Sequence, residues 1–127
     1  MRRKLIGVAV VTAIAVAFCL ACLVLVNRVI GRMEALSMEA QDFVERGQTR
    51  EAAAKMTQLA EEWQRFRPFL EMLISHNEMH TVVDRYVEAQ SHLMRGQMDD
   101  YFVSMATLQE SLDHIRQQEQ VRLGNVL

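Results

Sequence analysis

Hydrophobic positions divide the chain into one unbroken apolar run and four periodic stretches. Leu5 through Val26 is 22 residues long, carries no charge and has a single hydroxyl, Thr12. As a helix it reaches roughly 33 Å at about 1.5 Å per residue, enough to cross a hydrocarbon core of roughly 30 Å. Directly after it, Val29, Met33, Leu36, Ala40 and Phe43 recur at steps of four, three, four and three. This spacing lays an apolar seam on one helix face, so the spanning helix is expected to continue outward to about Arg46. Gly47 ends it, because glycine enters the left-handed region without a Cβ penalty, and Thr49 is placed to cap the next helix. There the seam is Ala52, Met56, Leu59, Trp63 and Phe66. Pro68 lacks a donor and clashes with the carbonyl four residues back, and it reads as the first turn of a new helix. One helix kinked at Pro68 is the alternative, since Leu70 and Leu73 prolong the seam.

The third stretch has no breaker from Phe69 to Arg95; Met72, Met79, Val83, Tyr86 and Leu93 mark its apolar face, with His76 and Gln90 interrupting it. Gly96 closes it. The last helix carries Met98, Tyr101, Met105, Leu108, Leu112 and Ile115, fades through Gln117-Gln118-Glu119-Gln120, and leaves Gly124–Leu127 as a short tail. Helices are therefore expected at about 28–46, 50–67, 69–95 and 98–120. The fold class is all-α: a single N-terminal transmembrane helix followed by a small extracytoplasmic bundle of antiparallel helices.

Charge changes this picture by giving it a direction. Arg2, Arg3, Lys4 and the terminal amine precede the run, a larger positive excess than Arg28 and Arg32 supply after it. The N-terminus is thus expected in the cytoplasm and the domain outside the cell membrane. Residues 1–4 form a basic start, 5–26 an uncleaved signal-anchor bounded by Leu5 and Val26, and 27–127 the helical domain. A buried core helix fits poorly, because about a hundred further residues cannot enclose it. A cleaved signal peptide fits poorly because its apolar region is usually about 7–15 residues. Leu20-Ala21-Cys22 faintly suggests a lipoprotein cleavage site, but it lies inside the run and follows Cys19. Both cysteines sit in the run, so packing rather than disulfides must hold the domain. All 16 acidic side chains and 11 of the 14 Lys and Arg lie beyond Val26, a net charge of −5. Such a domain has no electrostatic footprint for nucleic acid.

A repeat and a histidine stripe remain. Arg46-Gly47-Gln48 returns as Arg95-Gly96-Gln97, 49 residues later, with Met56 matching Met105, Leu59 matching Leu108 and Glu61 matching Glu110. The reading is one helix–turn–helix unit used twice, by duplication or because the same turn is needed twice. The eight methionines after Met1 read mainly as core filling, and Trp63, Phe66, Tyr86, Tyr101, Leu108, Leu112 and Ile115 join Met56 and Leu59 as expected core or interface residues. His76, His80 and Asp84 stand at steps of four in SHNEMHTVVDRYVEAQSH, with Glu88 and His92 prolonging the line. Two imidazoles one turn apart can share a metal ion, and Asp84 could add a ligand, with Glu78 a poorer choice. The zincin motif is absent, since Asn77 rather than glutamate follows His76. The plainer reading makes His76 a seam residue and leaves His80 and His92 facing water. No catalytic constellation and no cofactor are indicated.

Taken in order, the basic start and single span, Trp63, Ile74-Ser75-His76-Asn77-Glu78-Met79-His80, His114-Ile115, Glu119, Leu123 and Asn125-Val126-Leu127 resemble an uncharacterised family. Its members are short membrane-anchored bacterial proteins, mainly from Gram-positive Firmicutes, that carry a domain of unknown function. In that family the middle stretch commonly has acidic residues where Ser75 and His80 stand here, whereas His76 and Glu78 fit. The resemblance implies a topology and a bacterial host, without an activity. The functional expectation is a non-catalytic interaction or scaffold module whose partners are the lipid bilayer and either a second copy or another membrane or extracytoplasmic protein. The alternative is a divalent-metal-binding or metal-sensing domain using His76 and His80.

Overall fold

The computed structural model describes residues 1–126, the side chains of Leu123 and Val126 excepted. Four helices form: α1 (Arg2–Glu45), α2 (Thr49–Leu70), α3 (His76–Met94) and α4 (Met98–Val126), with no strand among the described residues. The apolar run and the first seam are one 44-residue helix, about 66 Å long at about 1.5 Å per residue. Its two parts meet different surroundings. Val8, Val11, Ile14 and Phe18 are 64–66% exposed, whereas Cys22, Val26, Val29, Ile30, Met33, Leu36 and Ala40 are buried. Packing therefore begins at Cys22, inside the apolar run and ahead of the expected boundary at residue 27.

The two glycine turns are built alike. Gly47 has φ +77° and Gly96 φ +72°. Gly47 N–H bonds the Val44 carbonyl (3.0 Å) and Gln48 N–H the Phe43 carbonyl (2.8 Å); Gly96 N–H bonds Leu93 (3.2 Å) and Gln97 N–H bonds His92 (2.9 Å). Each is a Schellman closure, which satisfies two end-of-helix carbonyls and needs a left-handed residue at the glycine. Thr49 is not the cap of α2; it is the first helical residue, behind Gln48, which makes no side-chain cap bond.

Pro68 does not open a helix. It sits within α2, which continues to Leu70 before a short turn. The chain leaves the helix through tightened bonds, Met72 N–H to the Phe69 carbonyl (3.2 Å) and Leu73 N–H to the Leu70 carbonyl (3.0 Å). Two residues past the missing donor the helix is over, so the break expected at Pro68 falls at Glu71–Ser75. Met72 accordingly leaves the expected apolar face and stands 78% exposed in this turn. The start of α3 is set by Ser75, whose Oγ accepts the Glu78 N–H at 3.3 Å. Serine followed three residues later by glutamate is a capping-box sequence, a signal that the apolar periodicity concealed. The far end of α4 also differs from expectation: it runs through Gly124 and Asn125 to Val126. Glu119, four residues after Ile115, is buried, so a polar letter hides a further seam position. Leu127 lies outside the described residues.

Helix α1 packs on α2 and α4, and α3 packs on α2 and α4, while the diagonal pairs α1/α3 and α2/α4 do not meet. Short turns and this ring of neighbours make an up-down-up-down four-helix bundle. Its core holds Met56, Leu59, Trp63, Tyr86, Tyr101, Leu108, Leu112 and Ile115, and Phe66 is partly buried against it. The four seams thus face one another inside a single chain.

Candidate histidine site

The Ser75 cap fixes where α3 starts, and that places His76 in its first turn with His80 one turn later. The imidazoles meet edge to face, ring centres 4.3 Å apart, with Nε2 2.9 Å from Nε2. One of these nitrogens must carry hydrogen and the other must present its lone pair, because two N–H groups or two lone pairs would repel. The pair borders a crevice of about 10 Å³ with Trp63, Arg67, Glu71 and Met79, room for about one water molecule. His76 is exposed rather than a seam residue; the interior position one turn from Val82 belongs to Met79.

The rest of the stripe disperses. Among the described residues no group of three or more His, Cys, Asp and Glu side chains is placed to hold a metal ion, so Asp84 does not join His76 and His80 as a third donor. Glu88 is engaged by Arg85 at 3.1 Å. His92 Nδ1 lies 2.9 Å from Gln97 Oε1 and ties the end of α3 to the glycine turn. His114 comes to Glu78 instead of the histidine pair, with Nδ1 3.1 Å from Oε1. These two line a groove between α3 and α4 together with Thr81, Thr107 and Glu110. Glu78, which the sequence placed away from the histidine face, is therefore an inter-helix partner.

A second polar cluster, which periodicity missed, lies at the end of the bundle nearest the apolar run. Arg122 Nη1 donates to the Leu73 carbonyl at 2.6 Å and to Glu119 Oε1 at 3.2 Å. Burial raises the Glu119 carboxyl above its ordinary range; Arg122 opposes the shift and Glu78 adds to it. Elsewhere in the core, burial pushes the Tyr101 hydroxyl up to about 12. The Tyr101 hydroxyl and the Trp63 indole N–H are both buried without a hydrogen-bond partner among the described residues. These two aromatics are held by packing rather than by polar contacts.

Comparison with curated proteins and with solved structures finds no match. A family model described as a domain of unknown function, DUF4363, matches residues 22–126. The match opens at Cys22, the residue at which the bundle's packing opens on α1, and takes in all four helices of the bundle. The chain belongs to the DUF4363 family.

Proposed function

We propose that this chain is a single-pass membrane protein that holds a non-catalytic four-helix interaction module against the outer face of the cell membrane, with its N-terminus in the cytoplasm. The observation that carries this reading is α1. One helix is long and apolar enough to cross a membrane, and it enters the bundle as a core helix with no intervening linker. The module is thus held at a fixed height above the bilayer. Its seams are consumed within the bundle, so a partner, whether a second copy or another protein, would meet the outer faces, where Met38, Val87, Met94 and Val103 stand exposed among polar residues. In-cell crosslinking with mass spectrometry tests this reading. Crosslinks through these faces are expected, and recovery of isolated monomer under all growth conditions would remove the module's purpose.

The Nε2 to Nε2 approach of 2.9 Å between His76 and His80 favours a second reading, a site for a divalent ion preferring imidazole, such as zinc, nickel or copper. Binding would weaken at low pH, because protonated imidazole has no lone pair to give. Calorimetric titration of the detergent-solubilised chain with Zn²⁺ and Ni²⁺ should show micromolar binding that a His76→Ala/His80→Ala variant loses. Equal heats from both proteins would end this reading.

A further inference from the structure

The part of the apolar run left free by the bundle is shorter than a membrane. Leu5 to Ala21 is 17 residues, about 26 Å at about 1.5 Å per residue, against a hydrocarbon core of about 30 Å. Measured from the charged start Arg2-Arg3-Lys4, about 20 residues are needed, which carries the hydrocarbon boundary to about Val24. Val24 is apolar and 52% exposed, yet Cys22 and Val26 on the same helix are already covered by the bundle. The basal end of the bundle and the edge of the hydrocarbon therefore overlap in height.

A groove of about 190 Å³ opens at this height. One wall is the run itself, Phe18, Cys19, Cys22 and Leu23; the other is Leu73 of the α2–α3 turn, and Glu119 and Arg122 complete the lining. The apolar wall is continuous with the exposed apolar surface of the run, where Ile14 and Phe18 are each 64% exposed, the surface that faces lipid tails on the anchored reading. The Arg122 side chain is 57% exposed, and the two bonds that hold it both leave from Nη1. A guanidinium so placed suits a phosphate, which it can bind through two parallel N–H bonds. Glu119 Oε1 meets the guanidinium at Nη1 alone, 3.2 Å away. Met72, 78% exposed, precedes Leu73 in the chain, and Val121, 63% exposed, precedes Arg122.

Resting on the anchored reading above, we propose that the groove among Phe18, Cys19, Cys22, Leu23 and Leu73 holds the acyl chain of a bilayer phospholipid whose headgroup phosphate sits on Arg122. The bundle is then seated in the interfacial layer rather than standing clear of it. The test uses the full chain in vesicles of phosphatidylethanolamine and phosphatidylglycerol doped with a phospholipid carrying a photoactivatable diazirine in its acyl chain, with adducts mapped by mass spectrometry. Adducts are expected along Val8–Leu20 and also at Met72–Leu73. Arg122→Glu should lower the Met72–Leu73 adducts at least threefold while leaving those on the run unchanged. Adducts on the run with none at Met72–Leu73 would overturn the lipid seat while keeping the anchor, and would show the groove closed by protein. Equal Met72–Leu73 labelling in the variant would overturn the role of Arg122. No adducts on the run would overturn the anchored reading and the seat with it.

Discussion

The two helical hairpins, α1–α2 and α3–α4, share a buried face and differ in how they begin. A shift of 49 residues lays buried Ile30 on Met79, Met33 on Val82 and Ala40 on Ala89, and in the second helices Met56 on Met105, Leu59 on Leu108 and Trp63 on Leu112. Even the polar exceptions coincide: Ser37 falls on Tyr86, and each takes a side-chain amide from the adjacent helix of the other hairpin, Gln109 in one case and Gln64 in the other. The same shift lays Ser75, the cap of α3, on Val26, the end of the apolar run. One hairpin unit is thus started once by a helix continuing out of the apolar run and once by a serine. The two hairpins share a seam and a glycine turn and differ at the start, which in α1 is where the apolar run joins.

Breaking the shared face should have the largest effect. Trp63→Ala is expected to destabilise the bundle by about 3–5 kcal/mol and Leu112→Ala, its counterpart, by about 2–5 kcal/mol, read from melting of the full chain in nanodiscs. A cost below about 1 kcal/mol for either would mean that the hairpins do not share the core equally. Next come the turns. A Cβ at Gly47 or Gly96 would meet nothing within 4 Å, so alanine there costs only the left-handed backbone conformation, about 1–2 kcal/mol. The two variants should agree closely, and a large inequality would break the equivalence. Ser75→Ala removes the start peculiar to the second hairpin and should cost about 1 kcal/mol, with amide exchange accelerating at the first turn of α3 and not in α1.

The smallest effect concerns Glu119, which takes the place of Leu70 in the repeat. Its folded carboxyl lies above the ordinary value of 4.5 because burial opposes its charge. Between the unfolded and folded values the folded state holds more protons, so stability falls as pH rises above about 4.5. Glu119→Gln should flatten that decline and melt slightly higher at neutral pH. An unchanged slope would assign the pH dependence to other groups.

Much of this architecture is legible in the sequence, because a long apolar run, seams at steps of three and four, and glycine at a turn all act through local geometry. The Arg-Gly-Gln echo places both glycine turns, and a left-handed glycine stands at each. The break at Glu71–Ser75 was obscured because Pro68 drew the boundary to itself, although Ser75 and Glu78 carried the capping signal. The end of α4 lies beyond the expected residue 120, because the polar stretch Gln117-Gln118-Glu119-Gln120 conceals a seam position at Glu119. The histidines show the other limit. A step of four correctly brings His76 to His80, but what approaches from elsewhere in the fold, His114 of α4 to Glu78 and Glu71 of the α2–α3 turn to the crevice, depends on packing that spacing alone does not encode.

The central claim is that α1 joins a membrane crossing to a bundle outside the cell. Single cysteines at Arg3 and at Met38, the latter 64% exposed on the bundle part of α1, in a Cys19→Ala/Cys22→Ala background, test it with a membrane-impermeant maleimide on intact cells. The account predicts labelling at position 38, protection at position 3 until the cells are lysed, and recovery of the chain with the membrane fraction. Labelling at position 3 with protection at 38, or recovery of the chain in the soluble fraction, would contradict it.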